Sequence, residues 1–258
     1  MLVFDEVEQA KKILKNKELE YFKISLLLIV ARYFRYLGQD WKDVKENLIG
    51  YCKSQNLIKF ETRDMAIVDK ALIIAKKCNI RVPKRCCITQ KELDEIETLQ
   101  NPKVERIFFV MICLAKYLKE TSVTIKKKQY EKEELIFWET TGNLFREARY
   151  SNNFFDRNIL IGEIEDKHYI RTEPNKDRTR NHIVIETFYP DSEPVIIFDN
   201  PDKIYKLYDA YKENRISSCE ECGSSIIKKT ANSSIKYCEK CAYERKLNLN
   251  KDYKRMKT

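Results

Sequence analysis

The segment CEECGSSIIKKTANSSIKYCEKC, residues 219–241, decides how the C-terminal part of this chain folds. It contains two cysteine pairs of the same two-residue spacing: Cys219 with Cys222, and Cys238 with Cys241. That spacing lets a tight turn present both thiolates to one ion, and two such turns supply the four sulfur ligands of a tetrahedral zinc site. A segment this short cannot bury a core of its own, so the sequence predicts that one structural Zn²⁺ replaces that core.

The residues between the two pairs favour a β-hairpin. Gly223 follows the first pair, where the turn needs a positive φ angle. Ser225–Lys228 and Ser234–Tyr237 are strand-like and flank a polar turn. Residues 217–243 therefore resemble the zinc-ribbon family, which implies a structural zinc ion. An iron–sulfur cluster or a redox-active dithiol pair is the alternative, since thiolates also suit iron–sulfur centres.

A basic helix is predicted after the last cysteine, over residues 242–257. Its basic residues are candidates for contacts with the phosphates of a nucleic acid: Arg245, Lys246, Lys251, Lys254 and Arg255. Tyr243 and Tyr253 lie among them and offer aromatic faces for stacking on bases. A solvated helical tail without a ligand is the competing interpretation.

The first part of the chain has the pattern of a helical bundle. Glycine and proline are scarce, five and six in 258 residues, which favours helices over a β domain with many turns. Residues 5–17 and 19–37 are predicted as helices, the second ending at Gly38. Asp40 is placed to cap a third helix. A fourth is predicted from apolar residues on one face: Met65, Val68, Leu72 and Ala75.

The middle of the chain combines helices with strands. Thr89 and Glu92 form a capping-box pattern, and a further helix is predicted to start at Asn101 and Pro102. Two more helices are predicted at 133–149 and 152–166. They are followed by a strand, a charged loop at 174–181, a second strand over His182–Tyr189 and a third over Val195–Phe198.

This order of elements resembles the winged helix-turn-helix proteins. The resemblance implies that the second helix of the motif enters the major groove of DNA, with Asn153 and Arg157 at base edges. It also implies that the loop between the two strands contacts the phosphate backbone through its basic residues: Lys176, Arg178 and Arg180.

The predicted fold class is mainly α, with a helical N-terminal bundle, a winged-helix-like α+β middle and a small C-terminal zinc ribbon. The predicted domains are residues 1–85, residues 86–200 and residues 201–258. The last of these combines a linker helix, the zinc ribbon and the basic helix.

A net charge of +9 favours nucleic acid, an anionic membrane or an acidic protein as a partner. The apolar runs Ile24–Ala31 and Ile107–Ala115 are far shorter than the roughly 20 residues that a membrane span needs. The first eight residues do not have the pattern of an export signal. We therefore expect a cytoplasmic protein whose cysteines stay reduced.

No motif of an enzyme is found: neither a glycine-rich phosphate loop, nor a nucleophile elbow, nor a His-Glu-x-x-His pattern. We therefore expect a non-enzymatic protein. A second metal site formed by Cys78, Cys86 and Cys87 is left open, because their spacing matches no usual motif.

The leading hypothesis is a zinc-containing accessory or regulatory protein that binds nucleic acid, with duplex DNA favoured. The order of the domains and the Lys-, Ile- and Asn-rich composition resemble accessory proteins of phages and mobile elements of low-GC bacteria. The alternative is a protein-interaction or inhibitor module that binds a host or phage protein, with purely structural zinc. A nucleic-acid-processing enzyme with a carboxylate site is the third hypothesis. The oligomeric state is left undetermined.

Overall fold

The computed structural model describes residues 5–16, 23–77, 79–121, 135–137, 139–150, 153–173, 182–202 and 204–255, with the side chains of 251–255 left out. The chain divides into two compact units, one of residues 1–84 and 120–132, the other of residues 85–119 and 133–258. The fold is mixed α/β, with ten helices and three small antiparallel sheets among the described residues. None of these helices has the length and apolar content that crossing a membrane requires.

The first unit is helical, as the sequence predicted. Its helices are α1 (Glu6–Asn16), α2 (Ile24–Tyr36), α3 (Trp41–Ser54) and α4 (Glu61–Ala75). Helix α2 packs against the other three, and the core contains fully buried Leu27, Val30, Val44, Leu48 and Val68.

Two of the predicted helix signals in this unit are confirmed. The side chain of Asp40 accepts hydrogen bonds from the backbone N–H groups of Lys42 and Asp43, at 2.8 and 2.9 Å. Gly38 has a φ of +91°, which a side chain would strain, so the turn between α2 and α3 requires glycine here.

The second unit contains six helices and seven strands in the described residues. In chain order they are β1 (Cys86–Thr89), α5 (Gln90–Glu97), α6 (Pro102–Thr121), β2 (Leu135–Phe137), α7 (Thr141–Glu147), α8 (Phe154–Asp166), β3 (Ile170–Glu173), β4 (His182–Ile185), β5 (Pro194–Phe198), α9 (Tyr205–Lys212), β6 (Ile216–Ser218), β7 (Ser225–Ile227) and α10 (Glu239–Arg255). The sheets pair β1 with β5, order β2, β4 and β3 side by side, and pair β6 with β7.

Helix α6 runs through the core of the second unit. Every residue from Ile107 to Ala115 is fully buried. Phe108 stacks on Tyr169 with 5.8 Å between ring centroids, and Phe109 packs at 5.1 Å against Tyr208. The apolar run in the sequence is therefore the centre of a globular core.

The predicted helix at 133–149 is wrong in its first half. Leu135–Phe137 forms strand β2, which pairs with β4, and only Thr141–Glu147 is helical. Thr140 starts the helix, because its hydroxyl accepts a hydrogen bond from the N–H of Asn143 at 3.2 Å. An N-cap has extended backbone geometry, so the helix cannot continue through it towards β2.

Glu92 is a fully buried carboxylate at the junction of several elements. Its Oε2 accepts hydrogen bonds from the N–H of Thr89 at 2.9 Å, completing the predicted capping box, and from Lys116 Nζ at 2.6 Å. Its Oε1 accepts a hydrogen bond from the N–H of Tyr189 at 3.3 Å, while Lys116 also donates to the carbonyl of Cys87 at 2.8 Å. One charge pair thus joins β1, α5, α6 and the segment after β4.

Replacing Glu92 with Gln should lower the free energy of unfolding by about 3–5 kcal/mol, because Lys116 would stay buried without its counter-ion. The matched control is Asp94→Asn on the exposed side of the same helix, expected to change the stability by less than about 0.5 kcal/mol. Urea denaturation followed by circular dichroism measures both. Equal destabilisation by the two variants would contradict the role given to Glu92.

Candidate metal centre

The four predicted cysteine ligands converge at one point. The sulfur atoms of Cys219, Cys222, Cys238 and Cys241 all lie within 4.8 Å of one another. Cys222 Sγ and Cys238 Sγ are 3.7 Å apart, close to the edge of about 3.8 Å in a tetrahedron with Zn–S bonds of about 2.3 Å. A disulfide would bring two sulfurs to about 2 Å. The arrangement therefore fits a metal ion held by four thiolates, as predicted.

The first cysteine pair forms the turn between β6 and β7. The N–H of Gly223 donates to the carbonyl of Cys219 at 2.8 Å, and the N–H of Cys219 donates to the carbonyl of Ser224 at 2.9 Å. Gly223 has a φ of +70°, so the predicted need for glycine at this position is confirmed. These bonds hold both thiolates on the inside of the turn.

The second cysteine pair lies at the start of α10. Cys238 immediately precedes the helix and Cys241 is in its first turn. The N–H of Cys238 points at Cys219 Sγ at 3.4 Å, and the N–H of Cys241 points at Cys238 Sγ at 3.5 Å. The first N–H groups of a helix have no partner within it and carry partial positive charge, so they stabilise thiolates.

The predicted hairpin between the two cysteine pairs is wrong, because β7 pairs with a different strand. β7 pairs with β6 across the first cysteine pair, with Ser218 opposite Ser225. Ser234–Tyr237, predicted as its partner, forms no strand. The physical reason is that the tight turn of the first pair already brings the residues on both sides of it together, so β7 has a nearer partner.

The pKa is lowered by hydrogen bonds for two of the four thiols and raised by burial for the other two. Backbone N–H groups of Cys222 and Cys238 lower the pKa of Cys219 to about 6, and the hydroxyl of Ser224 lowers the pKa of Cys222. Burial raises the pKa of Cys238 and of Cys241. A cation is therefore required to ionise the second pair, and its binding would release protons.

Several residues that the sequence did not single out attach the metal centre to the rest of its unit. The N–H of Ile197 in β5 donates to Ser225 Oγ at 2.8 Å. Arg215 Nη1 donates to the carbonyl of Lys228 at 2.7 Å, and the backbone carbonyl of Arg215 accepts from the N–H of Lys228 at 2.8 Å. Arg85 contacts the carbonyl of Cys222. No spacing rule could find these residues, since their partners are distant in sequence or lie outside the cysteine pattern.

The second metal site that was left open gains no support from the described residues. Cys78 lies outside them, and Cys86 and Cys87 are consecutive on β1, so their side chains leave opposite faces of the strand. In the described part of the chain, a group of metal-ligating side chains is found only at the four C-terminal cysteines.

The two residues predicted to contact base edges are engaged within their own segment. Asn153 caps α8, with its Oδ1 accepting the N–H of Asp156 at 2.9 Å. The guanidinium of Arg157 lies over the ring of Phe145, 5.6 Å from its centroid. The large side chains that the start of α8 exposes are instead Phe154 and Phe155, at 73% and 72% exposure.

The remaining predicted nucleic-acid contacts divide between the loop and α10. Lys176, Arg178 and Arg180 lie outside the described residues. The Arg245 guanidinium lies 4.3 Å from the centroid of the Tyr237 ring, and Nη1 is 3.7 Å from Glu221 Oε2. Lys246 is exposed. The backbone of the last three is helical, with their side chains outside the described part: Lys251, Lys254 and Arg255.

Comparison with known proteins adds no relative from which function could be transferred. No protein-family model, no curated protein and no solved structure matches the chain. Inference about its function therefore starts from its own residues, and the resemblances to zinc ribbons and winged helices rest on the features described above.

The purified chain should bind one equivalent of zinc, and Cys222→Ser should lose it, because three thiolates leave the tetrahedron incomplete. Cys87→Ser is the matched control and should retain the metal. Mass spectrometry of the two variants measures how much metal each one retains.

Removal of the metal by a chelator should raise amide hydrogen exchange in β6, β7 and the first turns of α10, while α2, α3 and α4 keep their protection. Two results would contradict the proposed centre: full zinc content in the Cys222 variant, or a simultaneous loss of protection in α2–α4.

Proposed function

We propose that this chain is a non-enzymatic zinc protein that binds nucleic acid, with duplex DNA favoured, through its C-terminal module. The module consists of β6, β7, the four-cysteine centre and α10. Four thiolates at tetrahedral spacing are the donor set of structural zinc sites, which supports zinc as the metal. The centre offers no open coordination position for a reaction, because protein ligands occupy all four.

The observation that carries this proposal is the exposure of α10. Every residue from Ala242 to Asn250 is exposed, so the helix extends into solvent beyond Cys241. A helix without packing partners is marginal in water at this length. Its first turn is fixed by the metal centre, and its 17 residues give a rod of about 25 Å that has the right width for a major groove.

The distribution of charge supports the same surface. Residues 219–258 contain ten Lys and Arg against five Asp and Glu, a net charge of +5. Residues 135–187 contain eight against nine, a net charge of −1. Because neutralising phosphates dominates affinity for DNA, the C-terminal module is the stronger candidate for the main contact.

The topology of the middle segment supports a second contribution. Strand β2, helices α7 and α8, and strands β3 and β4 follow α6, and β4 lies between β2 and β3. Helices α7 and α8 followed by β3 and β4 agree with the order of elements that resembles a winged helix in the sequence, whereas β2 was not predicted; α8 would then be the groove helix. Three of the eight basic residues of this segment lie in the β3–β4 connection: Lys176, Arg178 and Arg180.

Binding of a duplex oligonucleotide should weaken steeply as salt is raised, because bound lysines release counter-ions. Changing Lys246, Lys251 and Lys254 to Gln should reduce the slope of log K against log[salt] by up to about 2.7, since each phosphate contact contributes about 0.9. Fluorescence anisotropy at several salt concentrations measures the slope.

The matched control changes the same number of exposed lysines to Gln in the helical unit: Lys42, Lys53 and Lys70. It should leave the slope as in the unchanged chain. Salt-independent binding, or equal losses in both triple variants, would count against α10 as the DNA contact.

A second candidate function is protein docking, and the exposed apolar face of α8 favours it. Phe155 and Ile159 are one turn apart and are 72% and 49% exposed. Gly162 continues this face, with open space where a side chain would be. Such a face is typical of a helix that packs against a protein partner. In this alternative the zinc is purely structural. The proposed origin in a phage or mobile element is compatible with either function and rests on the order of the domains and on the composition.

Changing both Phe154 and Phe155 to Ser should leave the free energy of unfolding within about 1 kcal/mol, because both rings are exposed. If α8 docks a protein, the variant should lose a stoichiometric partner that survives nuclease treatment of the unchanged chain. Phe60→Ser, at a 62% exposed phenylalanine, is the matched control and should retain it. Size-exclusion chromatography with light scattering measures the complex, and retention by the double variant contradicts this candidate.

A further inference from the structure

The helical first unit contains a basic pocket that the proposed function does not use. It has a volume of about 620 Å³ and lies where the ends of α2 and α4 meet the start of α3 and the chain at 79–84. This volume is in the range of small-molecule sites. The side chains that give it its chemistry are four cations and two aromatic rings: Arg32, Arg35, Lys76, Lys84, Tyr36 and Trp41.

The charged side chains that line this pocket are all positive. Among the described residues, no carboxylate side chain lines it. Two of the cations have acidic partners beside the pocket, since Arg32 pairs with Glu6 at 3.1 Å and Lys84 lies 4.0 Å from Glu120. Residues 1–84 as a whole contain 17 Lys and Arg against 11 Asp and Glu, a net charge of +6. The pocket therefore favours an anionic ligand.

The two other cations make only neutral contacts in the described part of the chain. Arg35 Nη1 donates to the carbonyl of Gln39 at 2.7 Å. Lys76 Nζ lies 5.6 Å from the centroid of the Trp41 ring. Neither contact neutralises the charge, so both groups can form charge-assisted hydrogen bonds with phosphate oxygens.

Arg32 is the least exposed of the four cations. It is only 9% exposed, and its Nη1 donates to Glu6 Oε1 at 3.1 Å. Glu6 therefore balances its charge, which leaves Arg35 and Lys76 as the groups available to an anion in the pocket.

The aromatic residues indicate which kind of anion fits. Trp41 is half-buried at the start of α3, and Tyr36 is 55% exposed at the end of α2. An inorganic anion needs no aromatic surface, whereas a planar base gains stacking energy from one. Because Lys76 lies within about 6 Å of the Trp41 ring, one ligand can stack on the ring and place its phosphate near the ammonium.

We infer that this pocket binds a mononucleotide, with its base against Trp41 and its phosphate at Arg35 and Lys76. This site is separate from the proposed nucleic-acid surface and does not depend on it. The groove of about 800 Å³ beside the metal centre offers a contrast. Five acidic residues and three basic ones line that groove, so it repels phosphate: Asp199, Asp202, Glu221, Glu239, Glu244, Arg85, Lys206 and Lys240.

Isothermal titration calorimetry on the full zinc-loaded chain tests the site with AMP, ATP, adenosine, sodium phosphate and an eight-residue oligothymidylate. AMP or ATP should bind saturably, and adenosine or phosphate alone at least tenfold more weakly. Arg35→Gln and Lys76→Gln should each weaken nucleotide binding by about tenfold, since each removes one charge-assisted contact.

The matched control is Lys77→Gln, at the adjacent exposed lysine that does not line the pocket, and it should bind as tightly as the unchanged chain. Trp41→Phe should keep most of the affinity and Trp41→Leu should lose it. No saturable binding of AMP and ATP overturns the inference. The inference is also overturned if phosphate alone binds as tightly as AMP, or if Lys77→Gln weakens nucleotide binding as much as Lys76→Gln. It is likewise overturned if the oligonucleotide is the only ligand whose binding depends on Lys76.

Discussion

The second unit depends on a charge pair that is entirely inside the protein. Glu92 and Lys116 are 2.6 Å apart, with the carboxylate fully buried. Removing two charges from water costs several kcal/mol per ion, and only close geometry with additional hydrogen bonds offsets this. The backbone groups of Thr89, Tyr189 and Cys87 provide those bonds. Four segments must therefore be in place together before the pair is satisfied, which makes the pair a constraint on the whole arrangement.

The metal centre would likewise hold several segments together, through sulfur–metal bonds rather than through a charge pair. Among the described residues, the buried cluster of the C-terminal module consists of Cys219, Ile226 and Cys241, which is far too little apolar surface for a stable core. Four sulfur–metal bonds would replace that core. Because Ser225 also binds the backbone of β5 at Ile197, the metal-dependent part is continuous with the rest of its unit and positions α10 relative to it.

The proposed binding surfaces depend on which side chains the fold leaves exposed. Asn153 is occupied in capping α8, and Phe154 and Phe155 take the exposed positions beside it. The positive charge is concentrated instead in residues 1–84 and 219–258, at +6 and +5. The protein thus has an apolar helix face, a basic helix and a basic pocket. These three surfaces differ in polarity and charge, and each suits a different class of partner.

The sequence alone determined the features that depend on local chemistry. The spacing of Cys219, Cys222, Cys238 and Cys241 predicted their convergence, because two residues between thiolates suit one tight turn. The cap at Asp40 and the capping box at Thr89 were predictable for the same reason, since each is completed within three residues. The helical first unit followed from the period of its apolar residues.

Only the tertiary structure decided which partner each local feature takes. β2 was hidden because three residues carry too little periodicity, and its pairing with β4 spans almost fifty residues of sequence. The pairing of Glu92 with Lys116 and the pocket around Trp41 likewise join residues that no spacing rule connects. Local geometry is encoded in neighbouring residues, whereas burial and pairing over long separations are set by how the whole chain packs.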